Sequence, residues 1–278
     1  MDNLITIKRW EKYCNELSKA NNNYILINIL HFNEANIGKF NFKQFENKNI
    51  ILLNPDIDFP PPKSPYLNDN NLNMKYKDRI HYKIIEFIER YNITIICFSS
   101  SIFHPNVKMI PLGVTWQTPI PALKIDVQNK NILCYANFGL PTVDCWHGRI
   151  RQNVKNIISH INVITMDNVS KDEQARKTNS KYLSYFNNIS RSKFSLCPRG
   201  CGIDCYRFYD CLIYDCIPII IKSEDFYKNL SMFPILVLND WEDLKNLTET
   251  YLNNKYDELM KEKTGYKNYL NINNYHLL

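Results

Sequence analysis

The sequence predicts an α/β fold with two parallel sheets, and two observations carry this prediction. Short β-branched segments alternate with helical segments up to about residue 110, and the alternation begins again after residue 130. The run Ile217–Ile221 is continuously apolar, as expected for a strand that is buried on both faces of a parallel sheet. We therefore expect two Rossmann-like domains, residues 1–118 and 119–278, facing a cleft, with ligands beyond the carboxyl ends of the strands.

In the first half of the chain, the sequence pattern predicts two helices and four strands. Apolar residues recur at helical spacing over 4–20 and 74–91. Runs rich in β-branched residues predict strands at 24–30, 49–53, 93–98 and 107–110. Residues 56–73 form a loop rich in Pro and Asn, long enough to carry function. Residues 115–129 contain prolines and lack periodicity, which indicates an interdomain linker.

The second half repeats the pattern with five strands. These are expected at 131–136, 162–165, 193–197, 217–221 and 234–238. Helices are expected at 149–160, 179–188 and 241–253, and after Asp204 as N-cap of a further helix. The tail from 255 to 278 is predicted to be helical and to pack back across both domains.

The composition limits the class of partner. The 278-residue chain has a net charge of +6 without a dense basic block, which suits a small anionic ligand at least as well as nucleic acid. Its 18 tyrosines are spread along the chain, so no nucleic-acid partner is expected. Nine cysteines and no secretion signal predict the cytoplasm, or a host cytoplasm if the AT-rich codon bias reflects a viral source. No run is apolar over the ~18–20 residues that span a membrane.

The segment from Ser190 to Ile221 reads as strand, glycine turn, helix and strand, and it carries the strongest candidate site. The turn holds Arg199, Gly200 and Gly202, and a turn that leads into a helix N-terminus presents backbone N–H groups to a phosphate. Arg207 stands one turn into the helix, where it can pair with a diphosphate. Asp210, three residues later on the same face, can accept hydrogen bonds from ribose hydroxyls. The alternative is an intrahelical ion pair on a solvated face.

This segment resembles the C-terminal signature of the exostosin-type glycosyltransferases. The matching features are Lys-Phe-x-Leu-x-Pro-Arg-Gly, the later Asp, Arg and acidic residue, and Cys-Ile-Pro-Ile-Ile. The resemblance implies an inverting GT-B enzyme that uses nucleotide sugars, mostly UDP-sugars, with Arg207 on the diphosphate and Asp210 on the ribose. Three positions depart from the family pattern. Asp210 replaces the usual Glu, Asp215 the usual Gly, and Cys205 a small hydroxyl residue.

A second loop of the same half contributes further candidates. Asn137 and Phe138 follow the predicted strand 131–136, and Arg149 and Arg151 open the next helix. The resemblance implies that one of these arginines reaches the phosphates. A solvated basic helix end is the alternative, although positive charge at a helix N-terminus opposes the helix dipole unless an anion is bound.

The candidates for the catalytic base are Asp58, then His31 and Asp56, all at predicted strand ends of the first half. Asp56 and Asp58 also form an Asp-x-Asp triplet, which could bind a divalent metal or belong to a plain loop. The cysteines after residue 196 lack a Cys-x-x-Cys knuckle, so no structural zinc is expected.

We therefore expect an inverting glycosyltransferase that moves a sugar from a nucleoside-diphosphate sugar, with UDP favoured, to a hydroxyl of a glycan or glycoprotein acceptor. No cofactor and no obligatory metal are expected, because arginines and the helix N-terminus would neutralise the leaving diphosphate. Three alternatives stay open: a non-catalytic nucleotide- or sugar-binding protein, a metal-dependent transferase of GT-A type that uses Asp56 and Asp58, and a nucleic-acid binder.

Overall fold

Two parallel sheets form the framework of the protein. The computed structural model describes residues 7–27, 41–52, 82–98, 100, 102, 104–114, 129–139, 146–167, 179–200, 204–222 and 230–271. Within these residues, one sheet has four strands and the other has five, and every strand pair is parallel. The predicted α/β fold class with two parallel sheets is confirmed.

The first unit contains the four-stranded sheet, in the order β1-β2-β3-β4. Its strands are β-branched and apolar, so Ile50, Ile51 and Ile96 are almost completely buried between the flanking layers. The elements are helix α1 (Ile7–Ala20), β1 (Tyr24–Leu26), a 3-10 helix (Phe42–Phe45), β2 (Asn49–Leu52), helix α2 (residues 82–91), β3 (Thr94–Cys97) and β4 (Val107–Met109).

The second unit contains the five-stranded sheet, in the order β6-β5-β7-β8-β9. Its elements are β5 (Ile132–Ala136), helix α3 (Trp146–Ile158), β6 (Ile164–Met166), helix α4 (Asn179–Ser190), β7 (Ser192–Leu196), helix α5 (Tyr206–Ile213), β8 (Ile217–Ile221), β9 (Leu236–Leu238), a 3-10 helix (Trp241–Asn246), helix α6 (Glu249–Glu262) and a 3-10 helix (Tyr266–Leu270). The chain adds β6 on one side of β5 and β7 on the other, so the strand order reverses between β5 and β7.

The predicted helix 241–253 is wrong, because the segment divides into two helices. Asp240 and Asp243 form a capping box around the first, a 3-10 helix that ends at Asn246. Leu247 is extended, and Thr248 then caps α6 by accepting a hydrogen bond from the Tyr251 N–H at 3.2 Å. The predicted tail helix is also interrupted, since Gly265 adopts a left-handed conformation (φ 82°) before the last 3-10 helix.

The tail is anchored on the second unit by Tyr266. Its hydroxyl donates to the Leu212 carbonyl at 2.8 Å and to Asp215 Oδ1 at 2.7 Å. Asp215 has a positive φ of 52°, a conformation that glycine adopts without strain and that Asp tolerates better than most residues. The carboxylate of Asp215 also pairs with Lys267 Nζ at 2.8 Å, so the departure from the family glycine is stabilised by contacts that glycine could not make.

The two units share buried contacts through residues 110–114. Ile110, Leu112 and Val114 belong to one apolar cluster that includes Ile96 of the first sheet and Phe208 of helix α5. The main polar link here is Asp204, whose Oδ2 accepts hydrogen bonds from the Leu112 N–H at 2.9 Å and the Tyr209 hydroxyl at 2.7 Å. Its Oδ1 accepts from the Cys205 N–H at 2.8 Å. Burial raises the pKa of Asp204 to about 8, against the lowering effect of these hydrogen bonds.

We predict that Tyr266→Phe lowers the free energy of unfolding by about 1–3 kcal/mol, because the buried Leu212 carbonyl and the partly buried Asp215 carboxylate lose their donor. Urea denaturation measures this difference. Tyr251→Phe is the matched control, since Tyr251 is 45% exposed. Equal midpoints for Tyr266→Phe and the wild type would contradict the anchoring role.

We also predict that Asp204→Asn removes part of the pH dependence of stability. The pKa of Asp204 is about 8 when folded and about 4 when unfolded, so the folded state holds the extra proton and stability falls as the pH rises between these values. Wild-type stability, measured by urea midpoints from pH 5 to 9, should therefore decline relative to the Asn variant. The exposed carboxyl variant Glu11→Gln controls for net charge, and a constant difference between wild type and Asp204→Asn would contradict the shift.

Candidate functional site

The candidate site lies where the strand order reverses, at the carboxyl ends of β5 and β7. These strands are direct neighbours, with Tyr135 opposite Ser195. The chain leaves β5 through Asn137–Gly139 and leaves β7 through Cys197–Gly200, so the two loops that the sequence singled out lie at the same edge of the sheet. In open parallel sheets, the crevice between such loops is the usual place for a ligand.

Arg151 holds the two loops together. Its Nε donates to the Arg199 carbonyl and its Nη1 to the Gly139 carbonyl, both at 3.0 Å. A Cβ on Gly200 would lie 3.2 Å from Arg151 Nη2, so the glycine makes room for this guanidinium. Arg151 therefore supports the loops through their backbones, and its expected contact with a phosphate stays a prediction. Arg149, on the same helix, is exposed.

Helix α5 begins differently from the prediction. Cys205 is the N-cap residue, with extended backbone angles (φ −145°, ψ 145°) and no side-chain cap hydrogen bond. The prediction of Asp204 as the N-cap is wrong, because its carboxyl is engaged by Leu112, Tyr209 and the Cys205 N–H. With its side chain only 5% exposed and both oxygens accepting hydrogen bonds, Asp204 joins the two units, and its expected contact with the nucleotide stays a prediction.

Arg207 is the second residue of α5, and its side chain gives the strongest indication of a ligand at this site. Its Nε is buried and has no hydrogen-bond partner within the part of the chain that the structure describes. A buried charged donor without an acceptor costs free energy, so an acceptor is expected at this position. An anion in front of the helix N-terminus would satisfy both the guanidinium and the helix dipole.

Asp210 lies one turn further along α5 and is only 2% exposed. The alternative of an ion pair on a solvated face is therefore wrong for this residue. Asp210 Oδ2 accepts a hydrogen bond from the Tyr185 hydroxyl at 3.2 Å. Burial, and then the charge of Asp210, raise the pKa of Tyr185 well above its usual range, so the phenol stays a donor. The sequence analysis missed Tyr185, whose role depends on helix α4 packing against α5.

The pKa of Cys205 indicates a positive electrostatic potential at the site. The pKa of the Cys205 thiol is lowered to about 7, because a hydrogen bond from Cys197 and the positive charges of Arg207 and Arg151 together outweigh the effect of burial. A position where arginines stabilise a thiolate also stabilises the oxygens of a phosphate. The sequence could have suggested this, because Cys205 stands two residues before Arg207 at the helix start.

The remaining candidates from the second unit have structural contacts. Asn137 donates through Nδ2 to the Tyr135 hydroxyl at 2.9 Å, and that hydroxyl bonds Asp167 in turn. Phe138 is 2% exposed and packs in the core, and its expected contact with the donor stays a prediction. Arg199 is half-buried beside Gly200.

Four of the predicted residues lie outside the described residues, so their contacts stay predictions: Asp58, His31, Asp56 and Gly202. Among the residues that are described, no group of three or more His, Cys, Asp or Glu side chains could hold a metal ion. None of the described helices has the length and hydropathy needed to cross a membrane.

The part of the chain that carries this site is similar to a known family of protein domains. Residues 105–242 match the Exostosin GT47 domain, a range that runs from β4 to the 3-10 helix after β9 and includes both strand-end loops and α5. No curated protein sequence matches the chain.

Among solved structures, TarM is similar over 92% of this chain, with 10% sequence identity and a TM-score of 0.39. The chain covers 56% of the length of TarM. The family match, together with two parallel α/β units, agrees with the expected GT-B type of fold. Over residues 105–242, the chain is similar to the exostosin GT47 glycosyltransferase domain.

Proposed function

We propose that the protein is an inverting glycosyltransferase that transfers a sugar from a nucleoside-diphosphate sugar to a hydroxyl group of a glycan or glycoprotein. The observation that carries the proposal is the buried Nε of Arg207, which has no acceptor among the described residues and stands in the first turn of α5. The family match of residues 105–242 supports the reaction class.

The donor diphosphate binds in front of the first turn of α5. Arg207 pairs with it, and the positive end of the helix dipole adds to the attraction. During transfer, the bond from the sugar to the diphosphate breaks and negative charge develops on the leaving phosphate. Fixed positive groups at that position stabilise the transition state more than the bound substrate, which is how they accelerate the reaction.

The ribose of the donor lies one turn deeper, beside Asp210. Tyr185 donates to Oδ2 of this carboxyl and so fixes its orientation toward the ribose hydroxyls. UDP is the nucleotide favoured by the resemblance to the exostosin family. Because arginines supply the positive charge in this part of the site, we propose that the reaction needs no metal ion.

The acceptor hydroxyl needs a base, since inversion proceeds by direct attack at the anomeric carbon. We propose Asp58 for this role, with His31 and Asp56 as the alternatives, because all three follow predicted strands of the first unit. A non-catalytic protein that binds the nucleotide sugar is the second candidate function, and it shares the donor site but not the base.

We predict that Arg207→Ala lowers the affinity for UDP at least tenfold, because the diphosphate loses its buried cation. Isothermal titration calorimetry with UDP measures the change, after a thermal-shift screen of UDP-, GDP- and TDP-sugars has identified the donor. Arg191→Ala is the matched control, since it removes the same charge at the opposite end of β7, where Arg191 Nε bonds Asn131 at 3.1 Å. Equal UDP affinity in Arg207→Ala and wild type would refute the donor site.

We predict that Asp58→Asn reduces kcat at least a hundredfold and leaves the affinity for UDP within twofold of wild type, because the base acts on the acceptor only. Steady-state transfer assays and titration with UDP separate the two quantities. Near-normal turnover would remove Asp58 as the base.

The same assay, repeated with a chelator, tests the metal-dependent alternative. Transfer that is lost with the chelator and restored by Mn²⁺ would favour a metal site at Asp56 and Asp58.

A further inference from the structure

A groove of about 520 Å³ lies on the second unit, at the amino edge of its sheet. Its walls are the second half of helix α3, the turn at 159–163 that leads into β6, and the 3-10 helix Trp241–Asn246 with the residue after it. The volume lies within the range of about 300–1,000 Å³ that is usual for small-molecule sites. The proposed donor site is at the opposite edge, where the chain leaves β5 and β7, so the groove is a separate place on the molecule.

The floor of the groove is aliphatic and belongs to a different core from helix α5. Its members pack in one apolar cluster: Ile157, Ile161, Val163 and Leu247. Cys134 of β5 belongs to this cluster, whereas the next residue, Tyr135, packs in the cluster that contains Phe208 of α5. Because successive residues of a strand point to opposite faces of a sheet, the groove and the helix that carries Arg207 lie on opposite faces.

The rim of the groove consists mainly of amide side chains. Asn153, Asn156 and Asn162 are all exposed, and an amide can both donate and accept hydrogen bonds. The Oδ1 of Asn156 accepts a hydrogen bond from Gln152 Nε2 at 2.9 Å, so the Asn156 Nδ2 is the group that can donate to a ligand. The exposed ring of His160 adds a further polar group to this side of the groove.

The opposite side of the groove carries two charges that neutralise each other. Lys245 and Glu242, one turn apart in the 3-10 helix, form an ion pair. A phosphate group needs cations that are free to pair with it, and this lysine already has a partner. An apolar ligand would cover the three amides without offering them hydrogen bonds. The groove therefore suits an uncharged ligand that has many hydrogen-bonding groups and also an apolar surface.

We propose that this groove binds a neutral saccharide chain. The hydroxyl groups of a saccharide both donate and accept, as the amides of Asn153, Asn156 and Asn162 require, and the C–H face of a sugar ring lies on the aliphatic floor. The site goes beyond the proposed function, because a saccharide bound here leaves the donor site open. If the protein transfers sugar to a glycan, this second contact would raise the local concentration of the acceptor, a consequence that rests on the proposed function.

Saturation-transfer difference NMR without nucleotide tests the groove directly, with cellotetraose, xylotetraose, maltotetraose and N-acetylchitotetraose as probes. We expect at least one of them to bind with a Kd of roughly 0.1–1 mM. The double variant Asn153→Ala/Asn156→Ala should weaken this binding at least fivefold, because two hydrogen-bonding side chains are lost. Its matched control is Asn187→Ala/Asn254→Ala, which removes two exposed amides from helices α4 and α6 and should bind as the wild type does.

Three results would overturn the proposal. They are no binding of any probe up to about 10 mM, equal binding in the wild type and the groove variant, and binding that UDP abolishes, which would place the saccharide in the donor site. Binding should also change less than twofold between about 0.05 M and about 0.5 M NaCl, since attraction to an uncharged ligand is not screened, and a steep fall would contradict the neutral ligand. Saccharide binding in a protein that does not bind UDP would uphold the groove and refute the donor site.

Discussion

The carboxyl of Asp204 is the contact on which the arrangement of the site depends. It accepts one hydrogen bond from the backbone that leaves the first unit, at Leu112, and two from the start of α5, at the Cys205 N–H and the Tyr209 hydroxyl. The two units and the helix that carries Arg207 are thus fixed to one buried group. Burial raises the pKa of this carboxyl to about 8, and the three hydrogen bonds that it accepts oppose that rise by stabilising the charged form.

The loops after β5 and β7 in the second unit are held together by the side chain of Arg151. Arg151 donates to one carbonyl in each of the loops after β5 and β7, so a charged side chain crosses the point where the strand order reverses. Such contacts fix backbone groups before a ligand arrives, and a site that is preorganised loses less entropy on binding. The two arginines therefore have different roles. Arg151 supports the loops through their backbone carbonyls, whereas the buried Nε of Arg207 can donate to a ligand.

The sequence predicted most strands of both sheets, because a parallel sheet that is buried on both faces demands continuous apolar runs and tolerates few alternatives. It also placed Arg207 and Asp210 one turn apart on α5, since helical spacing follows directly from sequence separation. It did not predict that Cys205, and not Asp204, is the N-cap residue of α5. The position of the N-cap depends on the hydrogen bond from the Leu112 N–H to Asp204. Leu112 is 92 residues away along the chain, so no local sequence pattern could predict this contact. The division of residues 241–253 into two helices was missed for a local reason, the cap at Thr248.

The departure at Asp210 can be understood from its surroundings. A carboxylate one methylene shorter than the family Glu reaches less far from the helix axis. The side chain that holds it is Tyr185 of α4, a long residue whose hydroxyl reaches Asp210 Oδ2 from the neighbouring helix. The phenol is partly buried and stays protonated, so it can donate its proton to this carboxyl. The position of the carboxyl therefore depends on the packing of two helices and not on one side chain alone.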